Sequence, residues 1–379
     1  MAAMPSGLLA ERVRRDLDVV AHGGLDLDTF LSEALLSLQR AVPFVGACFS
    51  TVDPTTRLLT GTRKYGDLAG RDERDHEWGL LEYGGSEATA FTRMADADVR
   101  AAGVHHSTSG HPEDSPRVRE LMRPAFGYGD ELRALCLDRD QLWGAAALFR
   151  PVGERPFDAD EIAFLASLAG AMGAGVRGGL LASLAASAPI DSPVGPAVMI
   201  IGPDDTVVQV NSGADHWLDE LAQGGTGAPP TGVIASLVGA ARRYARGEWP
   251  SPPRSRIRTS SGLWLVLHAT PLSARDGVHG EVVVTIEEAR PPEVVPLVVA
   301  AFGLTVRERD VVALVLQGMD TKEIGGQLHL SAWTVQDHLK AIFDKASVRS
   351  RRELIARVYF DQYVPRLGTG VGPGGWFAS

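Results

Sequence analysis

The chain has 379 residues, of which 45% are hydrophobic and 22% are charged, and a chain of this kind buries more than one core, in about two or three domains. Its formal net charge of −10 argues against a protein that coats nucleic acid or an anionic membrane over its whole surface. The two cysteines, Cys48 and Cys136, each lie in an apolar, strand-like segment. They support neither a disulfide scaffold nor a cysteine zinc site, and a reducing cytoplasm fits this pattern best.

The sequence shows no pattern of a secreted or membrane protein. Its first residues carry charges where a secretory signal has an apolar core. The uncharged, apolar segment from Ile162 to Val176 has 15 residues and is followed by Arg177, whereas roughly 20 residues are needed to span a bilayer. We therefore expect a buried helix there, no membrane partner and a cytoplasmic protein.

The first region is predicted to contain helices and two β-hairpins. Its first helix has apolar residues at helical spacing, namely Leu31, Ala34, Leu35, Leu38 and Val42. Strand-like segments follow at 45–52, 57–66, 130–138 and 141–150. A last helix starts at Asp158, where Glu161 completes a capping box. This order of helix, hairpin, variable middle, hairpin and helix resembles a GAF domain over about residues 20–180, and we assign residues 1–185 to a GAF-like sensor domain.

The second region is predicted to contain two strands, a helical middle and three more strands. The segment 197–221 contains a strand, a Gly-Pro-Asp-Asp turn, a second strand and a helix, and 254–272 and 281–289 supply the other strands. This order resembles a PAS domain, which we assign to residues 193–288. Both resemblances imply α+β modules with one antiparallel sheet backed by helices. Segments rich in proline and small residues, 186–196 and 287–296, are predicted linkers.

The third region is predicted to be four short helices, each with a recognisable start. Capping boxes are predicted at Thr305 to Glu308, Asp320 to Glu323 and Ser350 to Glu353, and Ser331 is a further N-cap. Gly318 follows the first helix, where a left-handed residue is usually needed. Only His329 and Leu330 join the second and third helices. So short a link between two capped helices is typical of a helix-turn-helix.

The C-terminal pattern resembles the LuxR-type (GerE-like) DNA-binding domain. The positions that match are Leu304, Thr305, Arg307, Glu308, Lys322, Glu323, Ile324, Ser331, Thr334, Val335, His338, Lys345, Ser350, Arg351, Glu353 and Leu354. The resemblance covers about 60 of the 379 residues, and we assign 298–362 to this domain and the glycine-rich 365–379 to a disordered tail. The predicted fold is thus multidomain, with two α+β sensor domains followed by an all-α four-helix domain.

The third of these helices is predicted to read DNA bases. At 100° per residue, Val335, Leu339, Ile342 and Ala346 share one apolar face, and Trp333, Gln336, Asp337, Lys340 and Asp344 lie opposite. In the major groove Gln pairs with adenine, Lys with guanine, and Asp accepts from cytosine. We therefore predict that Gln336, Asp337 and Lys340 read bases. Two roles remain open for Trp333, which could stack on the sugar–phosphate backbone or cover the apolar base of the second helix.

Phosphate contacts are predicted around this helix. Residues 302–358 contain nine Lys and Arg against seven Asp and Glu, a local net charge of +2, and the remainder has −12. The predicted phosphate-binding residues are Lys322, Ser331, Thr334, His338, Lys345, Arg349, Arg351 and Arg352. Some have an alternative structural role: Ser331 caps a helix with or without DNA, and Glu308 could pair internally with Arg351.

A homodimer is expected, because one LuxR-type module reads only a half-site. The fourth helix offers Leu354, Ile355 and Val358 as an apolar dimerisation face. The small residues Ala171, Gly175 and Gly179, at intervals of four, would let another helix approach closely. That approach could form a second dimer seam, or the helix could pack within its own domain.

The sensor regions show no strong cofactor or metal pattern. His105, His106 and His111 lie in a polar loop, and His268 lies in a strand, where a half-buried histidine is common. The arginines between Arg242 and Arg258 could meet an anionic ligand or offset nearby acidic residues. No motif of a phosphate-binding loop, kinase, zinc protease or serine hydrolase occurs. We expect no metal, no cofactor, no catalytic residue and no enzyme activity.

The resemblance and the residue pattern together predict a sequence-specific transcriptional regulator. It would bind double-stranded DNA as a homodimer, and its sensor domains would respond to a small ligand or a partner protein. The alternative is a sensor or scaffold protein that acts mainly through protein contacts and whose DNA binding is weak or lost.

Overall fold

The computed structural model describes residues 7–85, 87–183, 196–223, 230–259, 261–273 and 279–360. The chain divides into two compact units. The first contains 1–179, 193–260 and 264–288, and the second contains 180–192, 261–263 and 289–379. The predicted tail at 365–379 and all but one residue of the predicted linker at 186–196 lie outside the described residues.

The N-terminal part of the first unit is one five-stranded antiparallel sheet with helices around it. The strands are β1 Gly46–Val52, β2 Leu59–Gly66, β3 Ala101–Gly103, β4 Tyr128–Asp138 and β5 Gln141–Pro151, in the order β2-β1-β5-β4-β3. The helices are α1 Gly7–Ala21, α2 Leu27–Ala41, α3 Asp75–Tyr83, α4 Phe91–Asp96, α5 Val104–Ser107, α6 Ala159–Ser167 and α7 Ala169–Ser183, with further helical segments at Pro112–Asp114 and Arg117–Phe126. Both predicted hairpins are therefore present, whereas the short edge strand β3 was not predicted.

The second part of the first unit is another antiparallel sheet of five strands. The strands are β6 Ala197–Ile201, β7 Val207–Val210, β8 Arg254–Arg258, β9 Trp264–Ser273 and β10 His279–Glu288, in the order β7-β6-β10-β9-β8. Two helices, α8 Ser212–Gln223 and α9 Thr231–Ala245, lie between β7 and β8 in the chain. Each sheet thus has its second strand at one edge and its third strand at the other.

Helix α9 is a shared element of the two sheets' modules. Every residue from Gly232 to Ala241 is buried, because the helix packs on β9 and β10 and also on α3 and β2 of the first module. The β8 strand lies next to β2, where the Ser255 hydroxyl donates to the Leu59 carbonyl at 2.8 Å. Next to it, Arg256 forms two 2.6 Å hydrogen bonds to the Asp53 carboxylate, with both side chains buried. The two modules therefore share a buried polar contact and an apolar core.

The predicted buried helix from Ile162 to Val176 is two helices. The chain bends by 44° where α6 ends and α7 begins, and the apolar residues on both sides of the bend are buried. A Cβ atom on Gly175 would lie 2.1 Å from the Phe30 ring, and one on Gly179 would lie 2.7 Å from the Leu27 Cα. These glycines thus pack closely on α2 of their own domain, as the second of the two alternatives for this helix has it.

A search for membrane-spanning helices gives one finding. Within the described ranges, no single helix is long and apolar enough to cross a membrane, and only the bent pair α6 and α7 meets the criteria of length and composition together.

The second unit is helical where the structure describes it. Its helices are α10 Pro291–Ala301, α11 Val306–Leu316, α12 Thr321–Leu328, α13 Ala332–Ala346 and α14 Arg351–Ile355, and helical structure continues over Ala356–Phe360. The prediction of a linker at 287–296 is wrong, since only two residues separate β10 from α10. Prolines at the start of α10 favour a helix, because the first turn needs no backbone N–H from them. The predicted domain start at 298 falls inside this helix.

Candidate nucleic-acid interface and sensor cavity

The turn between α12 and α13 has the tight geometry that its sequence predicts. His329 adopts a left-handed conformation with φ +55° and its backbone closes α12 on Gly325. The Leu330 N–H also donates to the Gly325 carbonyl, at 2.9 Å. Ser331 then begins α13 by accepting the Thr334 N–H at 3.1 Å. The two helices are therefore fixed relative to each other by backbone hydrogen bonds and one cap.

The other predicted helix starts are also present. Thr305 with Glu308, and Asp320 with Glu323, form complete capping boxes. At the start of α14, Ser350 accepts the Glu353 N–H, but the Glu353 carboxylate accepts from the Arg349 N–H instead of from Ser350. Gly318, with φ +87°, follows α11 as expected. The local sequence thus determines where each of these helices begins.

Helix α13 has the two faces that its sequence predicts. Its buried residues are Val335, Leu339, Ile342 and Ala346. The predicted base-reading residues Gln336, Asp337 and Lys340 are all exposed on the opposite side. The Gln336 amide donates to the Thr321 hydroxyl at 3.1 Å, so the first residue of α12 holds this side chain in place. No local sequence pattern predicts that contact, since the two residues are 15 positions apart.

The predicted phosphate-binding residues divide into two groups. Lys322, Arg349 and Arg352 are exposed, as is Ser331, and Thr334 and His338 are half-buried. Lys345 and Arg351 are engaged inside the unit instead.

The ammonium group of Lys345 lies 2.6 Å from both carboxylate oxygens of Glu308, and Arg351 donates to the Met319 carbonyl. The proposed internal pair of Glu308 with Arg351 is therefore wrong, because Lys345 occupies that carboxylate.

Glu308 is a buried acidic residue, and its neighbours keep its carboxylate charged. Its side chain is 7% exposed and that of Lys345 is 30% exposed. Burial alone would raise the pKa of the Glu308 carboxyl, but hydrogen bonds from Lys345 and Thr305 outweigh burial, and the pKa is lowered. This ion pair joins α11 to the last turn of α13 and thereby holds α13 against α11.

The predicted dimerisation residues are placed differently from the expectation. Leu354 and Val358 are 0% and 1% exposed within the single chain, because α14 packs on α11 and α13 and the final turn packs on α10. The prediction that they form an exposed apolar face is wrong, since they belong to the core of the unit. Ile355 is half-buried.

Trp333 does not cover the base of α12. Its side chain is 74% exposed, although it is the second residue of α13 and close in sequence to the buried Val335. The interpretation in which the indole shields apolar surface of the second helix is therefore wrong. The ring lies on the exposed side of the recognition helix together with the predicted base-reading residues.

A small enclosed space lies inside the first module, beneath α3. The cavity has a volume of about 50 Å³, and its walls come from β1, β2, β5, α3 and Gly232 of α9. Trp78 and Phe149 line it, with ring centroids 5.7 Å apart. The Trp78 indole N–H is buried and has no acceptor among the residues that the structure describes.

Two buried cations also line the cavity, and both are paired with carboxylates. The Lys64 ammonium, 3% exposed, contacts Asp75 and lies 2.9 Å from Asp72. Burial raises the pKa of the Asp75 carboxyl in spite of Lys64. Arg117 bonds to Glu82 and Glu131 at 2.9 Å each. None of these cavity residues was predicted from the sequence. The acidic segment 72–77 after β2 is the one sequence pattern that could have indicated the contacts of Lys64.

The other candidates in the sensor regions have ordinary structural roles. Among the described residues, no group of three or more His, Cys, Asp or Glu is arranged to hold a metal ion. His268 is half-buried in β9, as predicted for a structural residue. Within the arginine-rich stretch, Arg242 pairs with Asp205, Arg246 with Glu248 and Arg256 with Asp53. Those three therefore offset nearby acidic residues. Burial raises the pKa of the Cys48 thiol to about 11, so this cysteine is not a reactive thiolate.

The model of bacterial regulatory proteins of the luxR family matches residues 303–358 of the chain. These residues contain α11 to α14, with the capped turn and two-faced helix described above. Residues 303–358 form a luxR-family domain. The resemblance on which the sequence prediction was based is thus confirmed for this part of the chain.

Two curated relatives each match a short part of the chain. The "Monoamine regulon transcriptional regulator" of Klebsiella aerogenes is 43% identical over 56 residues, which are 15% of this chain and 25% of the relative. The "Transcriptional regulatory protein DesR" of Bacillus subtilis is 41% identical over 57 residues, 15% of this chain and 29% of the relative. The chain thus spans less than a third of either relative's length. Both relatives are named as transcriptional regulators, and the matching family model describes bacterial regulatory proteins.

One solved structure similar to part of the chain is a GAF domain from a phosphoenolpyruvate-protein phosphotransferase of Coxiella burnetii. It is 14% identical, covers 45% of this chain and 94% of its own, and has a TM-score of 0.27. The description of the two sheets therefore rests on the strand order of the chain itself, while the luxR-family domain rests on both sequence match and geometry.

Proposed function

We propose that the chain is a sequence-specific transcriptional regulator that binds double-stranded DNA through its luxR-family domain. The observation that carries this proposal is the geometry of α13. One face of the helix is buried and the other presents Gln336, Asp337 and Lys340 to solvent, directly after a turn of three residues. A helix presented in this way fits the major groove, where its N-terminal residues reach base edges.

The side chains of α13 suggest distinct roles in reading DNA. Gln336 suits adenine, Lys340 suits guanine, and Asp337 accepts from cytosine and disfavours other bases. The phosphate contacts that fix the register come from Lys322, Arg349 and Arg352, with Ser331, Thr334 and His338 beside them. Lys345 and Arg351 are engaged within the unit, and their role is to position helices rather than to bind phosphate.

A homodimer is the second part of the proposal. One helix-turn-helix unit reads one half-site, and two-fold symmetry doubles both the contacts and the specificity. Since Leu354 and Val358 are buried in the chain's own core, a dimer contact through α14 would use its half-buried surface, where Ile355 lies.

The third part of the proposal is a sensory role for the first unit. Each of its two modules is a five-stranded antiparallel sheet with helices between its strands, which supports the GAF-like and PAS-like assignments, and the first module contains a cavity. Lys64 and Arg117 are already paired with carboxylates there, so the ligand class that the cavity suits best is a small uncharged molecule. Mass spectrometry of the native protein from its host tests this part, because a retained molecule appears as added mass.

A mobility-shift experiment with the promoter of the protein's own operon tests DNA binding. The expected result is a complex in moderate salt that an unlabelled promoter duplex displaces more readily than a scrambled duplex does. If no sequence-selective complex forms, the regulator proposal fails, and the sensor or scaffold protein that acts through protein contacts replaces it.

A further inference from the structure

Trp333 is an unusual residue on the surface of this protein. Of the six tryptophans that the structure describes, it alone is exposed, and 74% of its surface meets solvent. Exposure of a large indole ring is unfavourable in water, because its apolar surface stays hydrated instead of buried. The ring is therefore available to a partner.

Trp333 lies on the same stripe of α13 as the proposed base-reading residues. Gln336, Asp337 and Lys340 follow it by three, four and seven positions, which is the spacing of one helix face. All four are exposed. Trp333 is also the second residue of the helix, and the N-terminal end of a recognition helix is the end that reaches base edges. The surface that would meet DNA is thus continuous with the indole ring.

The charge near Trp333 favours a base over a phosphate as its partner. Asp337 is one helical turn away and exposed, and its carboxylate repels phosphate oxygens. In the major groove, the one apolar group that bases present is the C5-methyl group of thymine.

We propose that Trp333 packs on a thymine methyl group and makes that base part of the recognised sequence. This inference rests on the proposed DNA-binding function.

Trp333→Ala tests the inference, with Val306→Ala as the matched control. Val306 is 65% exposed and begins α11 in the same domain. The promoter site is first located by footprinting. Binding to that site and to a scrambled duplex is then measured over a range of salt concentrations. Trp333→Ala should weaken promoter binding about tenfold, within the range of one base contact, and should change scrambled binding less than twofold. The slope of affinity against salt should stay the same, because no cation is removed. Val306→Ala should bind as the wild type does.

A second measurement identifies the base. Each thymine of the footprint is replaced in turn by deoxyuridine, which lacks only the methyl group. The wild type should lose affinity at one position per half-site, and Trp333→Ala should show no loss there. Unchanged promoter binding by Trp333→Ala, equal loss on both duplexes, or a change in the variant's oligomeric state would each overturn the inference. If the wild type forms no selective complex, the proposed function itself has failed, and the two failures are thereby distinguished.

Discussion

Lys340 and Arg352 are both exposed cations of the luxR-family domain. They lie at different places relative to the α13 face that we propose enters the DNA major groove. Lys340 is in the middle of the exposed face of α13, whereas Arg352 is in the first turn of α14. We expect Lys340→Ala to weaken promoter binding more than scrambled binding, since it removes a base contact. Arg352→Ala should weaken both similarly and reduce the salt slope by about one. Fluorescence anisotropy with both duplexes measures these values.

Equal effects of these two substitutions would contradict the assignment of roles. Lys345→Ala is a helpful comparison, because the Lys345 ammonium group lies against Glu308 in the native chain. Its main effect should be on the stability of the domain and not on the salt slope, because the side chain is already neutralised by a carboxylate.

The ion pair of Glu308 and Lys345 predicts a pH-dependent stability of the domain. Since the pKa of Glu308 is lowered in the folded state, its contribution is fully present above the ordinary value of 4.5 and is lost as pH falls through the lower folded-state value. Glu308→Gln should therefore cost about 1–3 kcal/mol at neutral pH. The cost should shrink as the pH falls below the ordinary value.

Hydrogen exchange in α11 and α13 of the full chain measures this difference locally. Asp310→Asn is the matched control, because Asp310 forms an exposed ion pair with Arg307 in the same helix. Exposed pairs contribute roughly 0–1 kcal/mol, so this variant should stay close to the wild type. A cost of Glu308→Gln that did not change with pH would show that the carboxylate charge is not what stabilises the pair.

The crossing of α3 and α9 requires glycine at the point of contact. A Cβ atom on Gly79 would lie 2.5 Å from the Gly232 carbonyl oxygen and 2.8 Å from the Ala235 Cβ. Gly79→Ala should thus separate the helices and cost about 1–3 kcal/mol. Gly170→Ala in α7 is the control, since a Cβ there meets nothing within 4 Å and alanine favours a helix by up to about 1 kcal/mol. Thermal unfolding of the full chain should therefore shift in opposite directions for the two variants.

Helices and strands whose own residues carry a clear cap or apolar spacing could be predicted from the sequence. The start of α13 and its buried face follow from Ser331 and from the spacing of four apolar residues, and the structure has both. The paired strands β4 and β5 follow from two apolar segments joined by Arg139 and Asp140. In contrast, β3 has only three residues, and its pairing with β4 depends on distant sequence. The prolines that suggested a linker at α10 instead suit its first turn.

The same limit applies to the proposed sites. The exposed residues of α13 could be predicted because one helix determines their direction. The partner of Glu308 is 37 residues away, and the cavity beneath α3 combines residues from β1 to α9. Only the fold brings such residues together, so a sequence pattern of period two or 3.6 does not reveal them.

Across the whole molecule, charge is distributed unevenly, and this has a consequence for DNA binding. The luxR-family region has a local net charge of +2, and the remainder has −12. An acidic remainder repels DNA beyond the recognition surface, so affinity depends on a few cations and on contacts that salt does not screen. The proposed base contacts of Gln336 and Trp333 would therefore contribute more to DNA binding here than in a strongly basic protein.

The first unit is expected to unfold as one body, because its two modules share α9 and the buried pair of Asp53 and Arg256. Asp53→Asn removes the charge that faces Arg256 and should cost about 3–5 kcal/mol, as breaking a buried pair does. Hydrogen exchange should show that strands of both sheets lose protection together. Glu248→Gln, at the exposed pair with Arg246, should change protection by less than about 1 kcal/mol.

If only the second sheet loses protection from exchange in Asp53→Asn, the two modules are independent. A ligand in the cavity of the first module then has no structural route to the second module. If both lose protection, Gly232 provides that route, because it lines the cavity and begins the buried part of α9. A molecule that displaced α3 would then also displace α9, against which β9 and β10 pack. Occupancy of the first module would thereby change the second sheet without any contact between the ligand and that sheet.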